Sequence, residues 1–251
     1  MSKTKIAIIG GSGLEDPNIF KESGSVLIDT PFGKPTSDFK TGKISGVEVV
    51  ILSRHGRDHI FPPTNVNNRA NIWAIKKLGC THIIASTACG SLREHIARGN
   101  LVVPDQFIDF TRHRDITFFE SFEPGKMKHT PMPDPFDNML REALINTAGK
   151  TELKIHPTGT VITIEGPRFS TRAESNMFRM WGADIINMSI APECILANEL
   201  AIPYAAIAMC TDYDCWRTDE EPVTWEEVLK VFNHNVRNVI SLLKETIASL
   251  R

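Results

Sequence analysis

Short apolar runs alternate along this chain with segments that are apolar at every third or fourth position. Runs rich in Ile, Val and Ala are typical of strands buried on both faces, and the second pattern is typical of helices that pack one face on a sheet. The alternation predicts an α/β chain with a buried sheet. We predict strands at Lys5–Ile9, Val47–Ser53, His82–Ser86, Gly159–Glu165, Asp184–Met188 and Tyr204–Thr211.

Four helices are predicted between and after these strands. We place two at Thr64–Leu78 and Ala191–Leu200, a third at the capping box Thr171–Glu174, and a long last helix after Thr224. In a capping box the first and fourth residues satisfy each other's backbone N–H groups, which marks a helix start. The last helix carries an apolar stripe, which is more often core than a partner-binding face.

The chain reads as one domain over residues 1–251. No linker, composition shift or internal repeat divides it, and single α/β domains of this length are common. The most irregular stretch is Thr111–Pro135, which contains four prolines. A loop of that length inside a compact domain is usually functional or packed on a partner.

The charge balance limits the partners. Lys and Arg number 28 against 30 Asp and Glu, so the net charge is −2. No bulk positive field attracts nucleic acid or anionic lipid, and we predict neither as a partner. Any anion must be held by a local site.

Composition also predicts the compartment. No stretch approaches 18 consecutive apolar residues, and the run Ile6–Ile9 is too short for a signal peptide, so we predict no membrane span and no secretion. Five scattered cysteines are typical of a reduced, cytoplasmic protein. No Cys-x-x-Cys pair occurs, and we predict no metal site.

Polar groups collect where the predicted strands end. Ligands of open α/β sheets bind beyond the carboxyl ends of the strands, so these groups are expected around one crevice. They are Gly10–Gly13, Arg54–Arg57, Thr87–Ser91, Asn187–Ser189 and Thr211–Asp214.

The glycine-rich turn Gly10–Gly13 suits a small oxyanion. Its backbone N–H groups are unhindered and Ser12 adds a hydroxyl, although a tight turn that needs positive φ explains the glycines equally well. Asp16 stands where a dinucleotide fingerprint needs its third glycine, and no Gly-Lys-Ser/Thr follows. Neither a Rossmann-type oxidoreductase nor a P-loop protein is therefore favoured.

Arg54 and His55 directly follow a predicted buried strand. The guanidinium offers a bidentate fork for phosphate, and hydroxyls of Thr87 and Ser189 end other strands. The alternative for Arg54 and His55 is a solvated basic loop. The four residues together favour a phosphate site.

Asp212 and Asp214 follow the most apolar strand. Carboxylates beside a core must meet partners or take up protons. One interpretation is an Asp that caps the next turn. The other is a pair that handles the nitrogens of a heterocycle, one Asp having its pKa raised roughly 3 units by burial.

Seven separated motifs resemble the methylthioadenosine phosphorylases, a family of the trimeric branch of the purine nucleoside phosphorylases. The likeness covers nearly the whole chain, in register and order. The motifs are Gly10–Leu14, Thr30–Pro35, Arg54–Arg57, Ala70–Ala74, Thr87–Leu92, Glu165–Glu174 and Thr211–Trp216.

The resemblance implies one nucleoside phosphorylase domain, with a mixed, partly barrel-like β-sheet flanked by helices. It implies that inorganic phosphate attacks the ribose C1′ of methylthioadenosine and releases adenine, with phosphate as co-substrate and no cofactor. It further implies a cytoplasmic homotrimer.

Site residues carry over by position. The resemblance implies a phosphate site of Ser12, Arg54, His55, Thr87, Ala88 and Ser189. It implies ribose contacts at Asn187 and Met188, and base contacts at Phe169, Ser170, Asp212 and Asp214, the two aspartates being catalytic at N7 and the 6-amino group. Around the 5′ substituent it implies His129, from a neighbouring subunit, with Trp225 and Val228.

Alternatives stay open at this point. A carboxylate accepts from a 6-amino group and faces a 6-oxo oxygen poorly, so we predict adenine over hypoxanthine. Trp225 stands where relatives often have a small residue, which leaves methylthio and hydroxyl 5′ groups both open. The alternatives are an adenosine or methylthioinosine phosphorylase, and a nucleoside-binding regulatory module without turnover.

Overall fold

The computed structural model describes residues 3–10, 21–219 and 224–251. The strands in this part of the chain are β1 (Lys5–Gly10), β2 (Lys21–Val26), β3 (Phe39–Ile44), β4 (Val47–Ser53), β5 (His82–Ser91), β6 (Leu101–Val102), β7 (Gln106–Phe110), β8 (Ile155–His156), β9 (Thr160–Ile164), β10 (Ile185–Asn187) and β11 (Tyr204–Asp212). The helices are α1 (Asn68–Lys77), α2 (Asn138–Ala148), α3 (Arg172–Met180), α4 (Ile190–Glu199) and α5 (Trp225–Ser249).

The described strands form one mixed sheet. Its order is β2-β3-β4-β1-β5-β10-β9-β7, with β11 also on β5, β6 on β11 and β8 on β6. β1 pairs in parallel with both β4 and β5, whereas β10 runs antiparallel to β5. The predicted α/β fold with a mixed sheet flanked by helices is confirmed.

Helices cover both faces of the central strands, as the alternation of side chains along a strand requires. Ala7 and Ile9 of β1 pack in a cluster with apolar residues of α1 and α4. Ile6 and Ile8, which point the other way, pack with residues of α2 and α5. The nine residues of β11 are all buried, which explains why the run is apolar without alternation.

The capping box predicted the start of α3 correctly, whereas the predicted start of α1 was wrong. In α3 the Thr171 hydroxyl accepts from the Glu174 N–H at 3.2 Å, and the Glu174 carboxylate accepts from the Thr171 N–H at 2.8 Å, so the predicted capping box is confirmed. The helix predicted at Thr64–Leu78 is shorter, because Asn67 caps α1 and a short 3₁₀ turn precedes it.

Several elements are missing from the sequence prediction. The prediction omits β2, β3, β6, β7, β8 and α2. Two of these strands have only two residues, and β3 has apolar side chains only at its two ends, Phe39 and Ile44. The short or mostly polar strands among them give weak periodic signals.

The segment 111–135 contains neither helix nor strand, as predicted. It connects β7 to α2. Among the described helices, none has the length and apolar character needed to cross a bilayer.

Candidate active site

Strand β5 changes partner along one edge, and several of the predicted polar residues lie at this change. β11 pairs with β5 from Ile83 to Gly90, so β1 and β10 share the other edge. β1 pairs only as far as Ala85 and β10 begins at Gly90, which leaves residues 86–89 without a described strand on that edge. We call this stretch the β5 opening; such switch points are where α/β sheets bind ligands.

The predicted end of this strand at Ser86 is wrong. β5 continues to Ser91, so Thr87 and Ala88 lie within the strand rather than beyond it. The strand is longer because β11 on one edge and β10 on the other continue to pair with it.

Arg54 lies at the start of the β5 opening. Its backbone N–H donates to the Gly10 carbonyl at 2.8 Å, and its Nη1 donates to the Ser86 carbonyl at 2.9 Å. The side chain is buried. The solvated-loop alternative is therefore excluded for Arg54.

Glu193 of α4 occupies the fork of Arg54. Nε donates to Oε1 at 2.5 Å and Nη2 donates to Oε2 at 3.2 Å, while the Tyr204 hydroxyl donates to Oε2 at 2.9 Å. Burial opposes the charge of Arg54, but Glu193 more than compensates and raises its pKa. The fork that we expected to clamp phosphate is thus used on Glu193, and among the described residues only one Nη1 hydrogen of Arg54 lacks a partner.

The sequence prediction missed Glu193. The available signal was a single acidic residue within the otherwise apolar start of α4, because a buried charge demands a partner. The sequence pattern does not indicate that Arg54 is that partner.

His55 is neutral. Its Nδ1 lies 2.9 Å from the Phe61 carbonyl, which can only accept, so Nδ1 carries the proton and Nε2 is an acceptor. Burial, and then the Arg54 charge, lower the pKa of His55 to about 4. The solvated-loop alternative does not fit this half-buried ring either, but His55 brings no positive charge to an anion.

Three predicted site residues meet beside the opening. The Thr87 and Ser189 hydroxyls are 3.2 Å apart, and the Asn187 amide donates to the Thr87 hydroxyl at 3.4 Å. All three side chains are buried. The Asn187 amide oxygen in turn accepts from the Thr163 hydroxyl at 2.8 Å, which fixes its orientation. Ala88 follows Thr87 in the same strand.

Asp212 lies at the far end of the opening, beside Gly90. A Cβ on Gly90 would lie 2.8 Å from Asp212 Oδ1, so only glycine leaves room for this carboxylate. Oδ2 accepts from the Thr211 hydroxyl at 2.7 Å and Oδ1 from the Asp214 N–H at 2.8 Å. The second contact is the turn-capping bond that we considered as an alternative, and it leaves the carboxylate within the opening.

Burial raises the pKa of Asp212 to about 6, although the bonds from Thr211 and Asp214 oppose the rise. Burial also raises the pKa of Asp214, against the opposing contacts of Ser175 and Ser170. The shift of Asp212 has the predicted direction and is smaller than the predicted 3 units. Both pKa values are thereby brought closer to neutral pH.

Arg54 and Asp212 bracket one strand segment. Arg54 contacts Ser86 and Asp212 adjoins Gly90, four residues further along β5, a span of about 13 Å at about 3.3 Å per residue. The hydroxyl cluster of Thr87 and Ser189 lies between them. The two charged groups therefore adjoin the two ends of one segment of β5.

Phe169 and Ser170 lie in the loop before α3. Phe169 is 43% exposed. The Ser170 carbonyl accepts from the Cys215 thiol at 3.2 Å, which joins this loop to the segment after Asp214.

Arg114, also missed from the sequence, holds Met188. Its Nη1 donates to the Met188 carbonyl at 2.6 Å and its Nη2 to the Glu165 carbonyl at 2.5 Å. The Glu165 carboxylate accepts from the backbone N–H groups of Arg112 and His113. These bonds, with that of the Thr64 hydroxyl, lower the pKa of Glu165 to about 2 although burial opposes them.

No described contact brings the remaining predicted residues to the β5 opening. His129 is exposed, and its ring lies 6.2 Å from that of Phe122 in the same irregular segment. Ser12 lies outside the described residues, as do the side chains of Trp225 and Val228. Within the described part of the chain, no three His, Cys, Asp or Glu side chains cluster as metal ligands.

The comparisons with known proteins agree over nearly the whole chain. A family model described as the Phosphorylase superfamily matches residues 5–248. An S-methyl-5′-thioadenosine phosphorylase from Xenopus tropicalis is 53% identical, with 98% of this chain and 89% of the relative covered. The protein of the same name from Danio rerio is 50% identical, with 99% and 90% covered.

Solved structures give the same result. A methylthioadenosine phosphorylase from Schistosoma mansoni in complex with adenine has a TM-score of 0.93 and 43% identity, with 99% of this chain and 92% of that chain covered. A mutant adenosine/methylthioadenosine phosphorylase from Schistosoma mansoni in complex with methylthioadenosine has a TM-score of 0.92 and 42% identity, with the same coverage. This chain therefore belongs to the Phosphorylase superfamily and, within it, to the family of the S-methyl-5′-thioadenosine phosphorylases.

Proposed function

We propose that this chain catalyses the phosphorolysis of 5′-methylthioadenosine. Inorganic phosphate attacks ribose C1′, the C1′–N9 bond breaks, and adenine leaves with the electron pair, giving 5-methylthioribose 1-phosphate. The observation that carries the proposal is the β5 opening, with Arg54 at one end and Asp212 at the other. The names of the relatives, and the methylthioadenosine and adenine in the Schistosoma structures, support this substrate.

Phosphate binds at the Arg54 end. Ser12, Thr87 and Ser189 supply hydroxyls, Ala88 lies beside them, and Arg54 supplies its remaining Nη1 hydrogen. Because Glu193 balances Arg54 and His55 is neutral, these residues leave the phosphate charge largely uncompensated. That charge stabilises the oxocarbenium-like sugar of the transition state.

The purine leaves at the Asp212 end. Asp212 and Asp214 meet N7 and the 6-amino group, and a protonated carboxyl that donates to N7 stabilises the departing base. A pKa of about 6 gives Asp212 a protonated fraction near neutral pH. Phe169 stacks on the base, and Ser170 contacts its edge.

Asn187 and Met188 contact the ribose. Trp225, Val228 and His129 surround the 5′ substituent, His129 being supplied by a neighbouring subunit of a homotrimer. Exposed apolar side chains in the same irregular segment support contact with another subunit, since Phe122 is 42% and Met127 72% exposed.

The proposal includes a single domain over residues 1–251, no cofactor besides the co-substrate phosphate, no metal and a cytoplasmic location. The five cysteines are thiols, which supports a reducing compartment.

The test compares base release from methylthioadenosine, adenosine, methylthioinosine and inosine, each with and without phosphate. We expect phosphate-dependent release that is fastest with methylthioadenosine and slow with both 6-oxo nucleosides. Release without phosphate would indicate a hydrolase. Binding of nucleoside without release would indicate the regulatory module instead.

A further inference from the structure

Glu193 is a buried carboxylate that serves the candidate phosphate site without facing it. It holds Arg54 through two donors, at 2.5 Å and 3.2 Å, and its Oε2 also accepts from the Tyr204 hydroxyl. The side chains of Arg54 and Glu193 are 3% and 2% exposed. Solvent therefore neither competes with this contact nor screens it.

The contact fixes the plane of the guanidinium. Two parallel N–H···O bonds prevent rotation about the Cδ–Nε bond. The Ser86 carbonyl then takes one Nη1 hydrogen, at 2.9 Å. The second Nη1 hydrogen is consequently presented in one direction, beside the β5 opening.

One helix links this contact to the hydroxyl cluster. Ser189 is the N-cap of α4, but its side chain makes no capping bond and lies 3.2 Å from the Thr87 hydroxyl instead. Glu193 follows Ser189 by four residues, so the two lie one turn apart on the same side of α4. The start of α4 thus orients both a hydroxyl and a cation toward one opening.

Stability alone does not explain a buried ion pair. Replacing such a pair with well-packed apolar residues is often neutral or stabilising. We propose that Glu193 is a positioning residue for phosphate, which acts by holding the Arg54 guanidinium in the orientation that contacts the oxyanion. This inference rests on the proposed function and extends it to a residue that does not touch the substrate.

The test uses Glu193→Gln, which keeps the side-chain length but replaces one accepting oxygen with a donor. The affinity for inorganic phosphate is measured by isothermal titration calorimetry, and kcat and both KM values are measured with methylthioadenosine. We expect the phosphate Kd and the phosphate KM to rise about tenfold, because a charge-assisted bond loses its alignment. The nucleoside KM should stay within about twofold.

The matched control is Asp184→Asn. Asp184 pairs with Arg93 Nε at 2.8 Å, which is the same chemistry outside the β5 opening. This variant should lose an Arg–carboxylate pair, one more exposed than Arg54–Glu193, with no change in phosphate affinity. If Glu193→Gln does not fold, Tyr204→Phe replaces it, since it removes only the hydroxyl bond to Oε2; we then expect the phosphate Kd to rise about threefold.

A phosphate Kd within about twofold of the wild type would overturn the inference. A tighter phosphate complex would also overturn it, because Glu193 would then act through its charge. An equal rise in the nucleoside KM would show a general structural defect. Loss of the proposed function is distinguishable, since it appears as absent base release by the wild-type protein, whereas the calorimetric comparison needs no turnover.

Discussion

The two ends of the β5 opening bury charge in opposite ways. At the Arg54 end a cation meets a carboxylate, Glu193, and its charge persists at every ordinary pH. At the Asp212 end the buried carboxylate has hydroxyl and amide donors but no ion-pair partner among the described residues, and its pKa rises to about 6. One end therefore offers a fixed charge and the other a proton that can be exchanged, although both are similarly buried.

This difference matches the two halves of phosphorolysis. A nucleophile that is already anionic needs orientation and no proton transfer, whereas a leaving purine needs a donor whose pKa lies near the working pH. Burial alone cannot produce both a permanent charge and an exchangeable proton. Whether a buried group has an ion-pair partner decides which of the two results.

Breaking the fixed-charge end should have the largest effect. Arg54→Ala leaves Glu193 as an uncompensated buried charge, so we expect the free energy of unfolding to fall by about 3–5 kcal/mol. Urea unfolding measures this loss. The phosphate KM should also rise far more than the nucleoside KM in any folded fraction.

The double variant Arg54→Met with Glu193→Leu is the control. It removes both charges and should recover most of the stability without recovering phosphate binding. A double variant as unstable as Arg54→Ala would mean that packing, not charge, explains the loss.

Removing the proton at the other end should have the next largest effect. Asp212→Asn cannot act as an acid, so kcat with methylthioadenosine should fall by about 10²–10⁴. Because an amide donates to a 6-oxo group, the ratio of inosine to adenosine turnover should rise. If that ratio is unchanged, Asp212 does not face the base edge.

The pH dependence should separate the two ends. The protonated form of Asp212 is lost as pH rises through about 6, so kcat/KM should decline above that pH. His55, with a pKa of about 4, stays neutral across this range. The ionisation of phosphate affects the wild type and Asp212→Asn in the same way, so the variant serves as the baseline. The prediction is tested by the ratio of the two kcat/KM values at each pH.

The same titration affects stability, with a defined sign. The folded-state pKa of Asp212 lies above its ordinary value of 3.8, so the folded protein binds the extra proton. The stability contributed by the protonated form is complete below about pH 3.8 and is lost as pH rises through 6, by about 3 kcal/mol in total. Asp212→Asn should therefore be more stable than the wild type at pH 8, an advantage that vanishes near pH 4.

The smallest effect is expected from Thr211→Val. The Thr211 hydroxyl favours ionised Asp212, so its removal should raise the pKa of Asp212 further and move the midpoint of the pH–rate profile upward. Thr41→Val, which removes an exposed hydroxyl bond to the Gly24 carbonyl, is the matched control and should leave the midpoint in place. A downward shift would show that the hydroxyl does not stabilise the anion.

Local patterns predicted the parts of the fold that depend on nearby residues. The strand Val47–Ser53 has the predicted bounds, and the capping box opens α3 as expected. Each signal lies within a few consecutive residues, because the apolar run of a buried strand and the capping box of a helix are both short stretches of sequence. β3 lacks such a signal and was missed, whereas α2 was missed although Asp137 caps its start and Leu140 and Leu144 are buried one turn apart.

Sequence alone also identified several residues that lie along the β5 opening, since Arg, Thr, Asn, Ser and Asp at or near the ends of buried strands stand out from the apolar runs. It did not predict which groups pair. Arg54 and Glu193 are 139 residues apart, and Arg114 reaches Met188 across 74. The tertiary structure alone decided that Arg54 would have an ion-pair partner and that Asp212 would have none among the described residues, because the energy of a buried charge depends on the partner that folding brings to it and not on its neighbours in the chain.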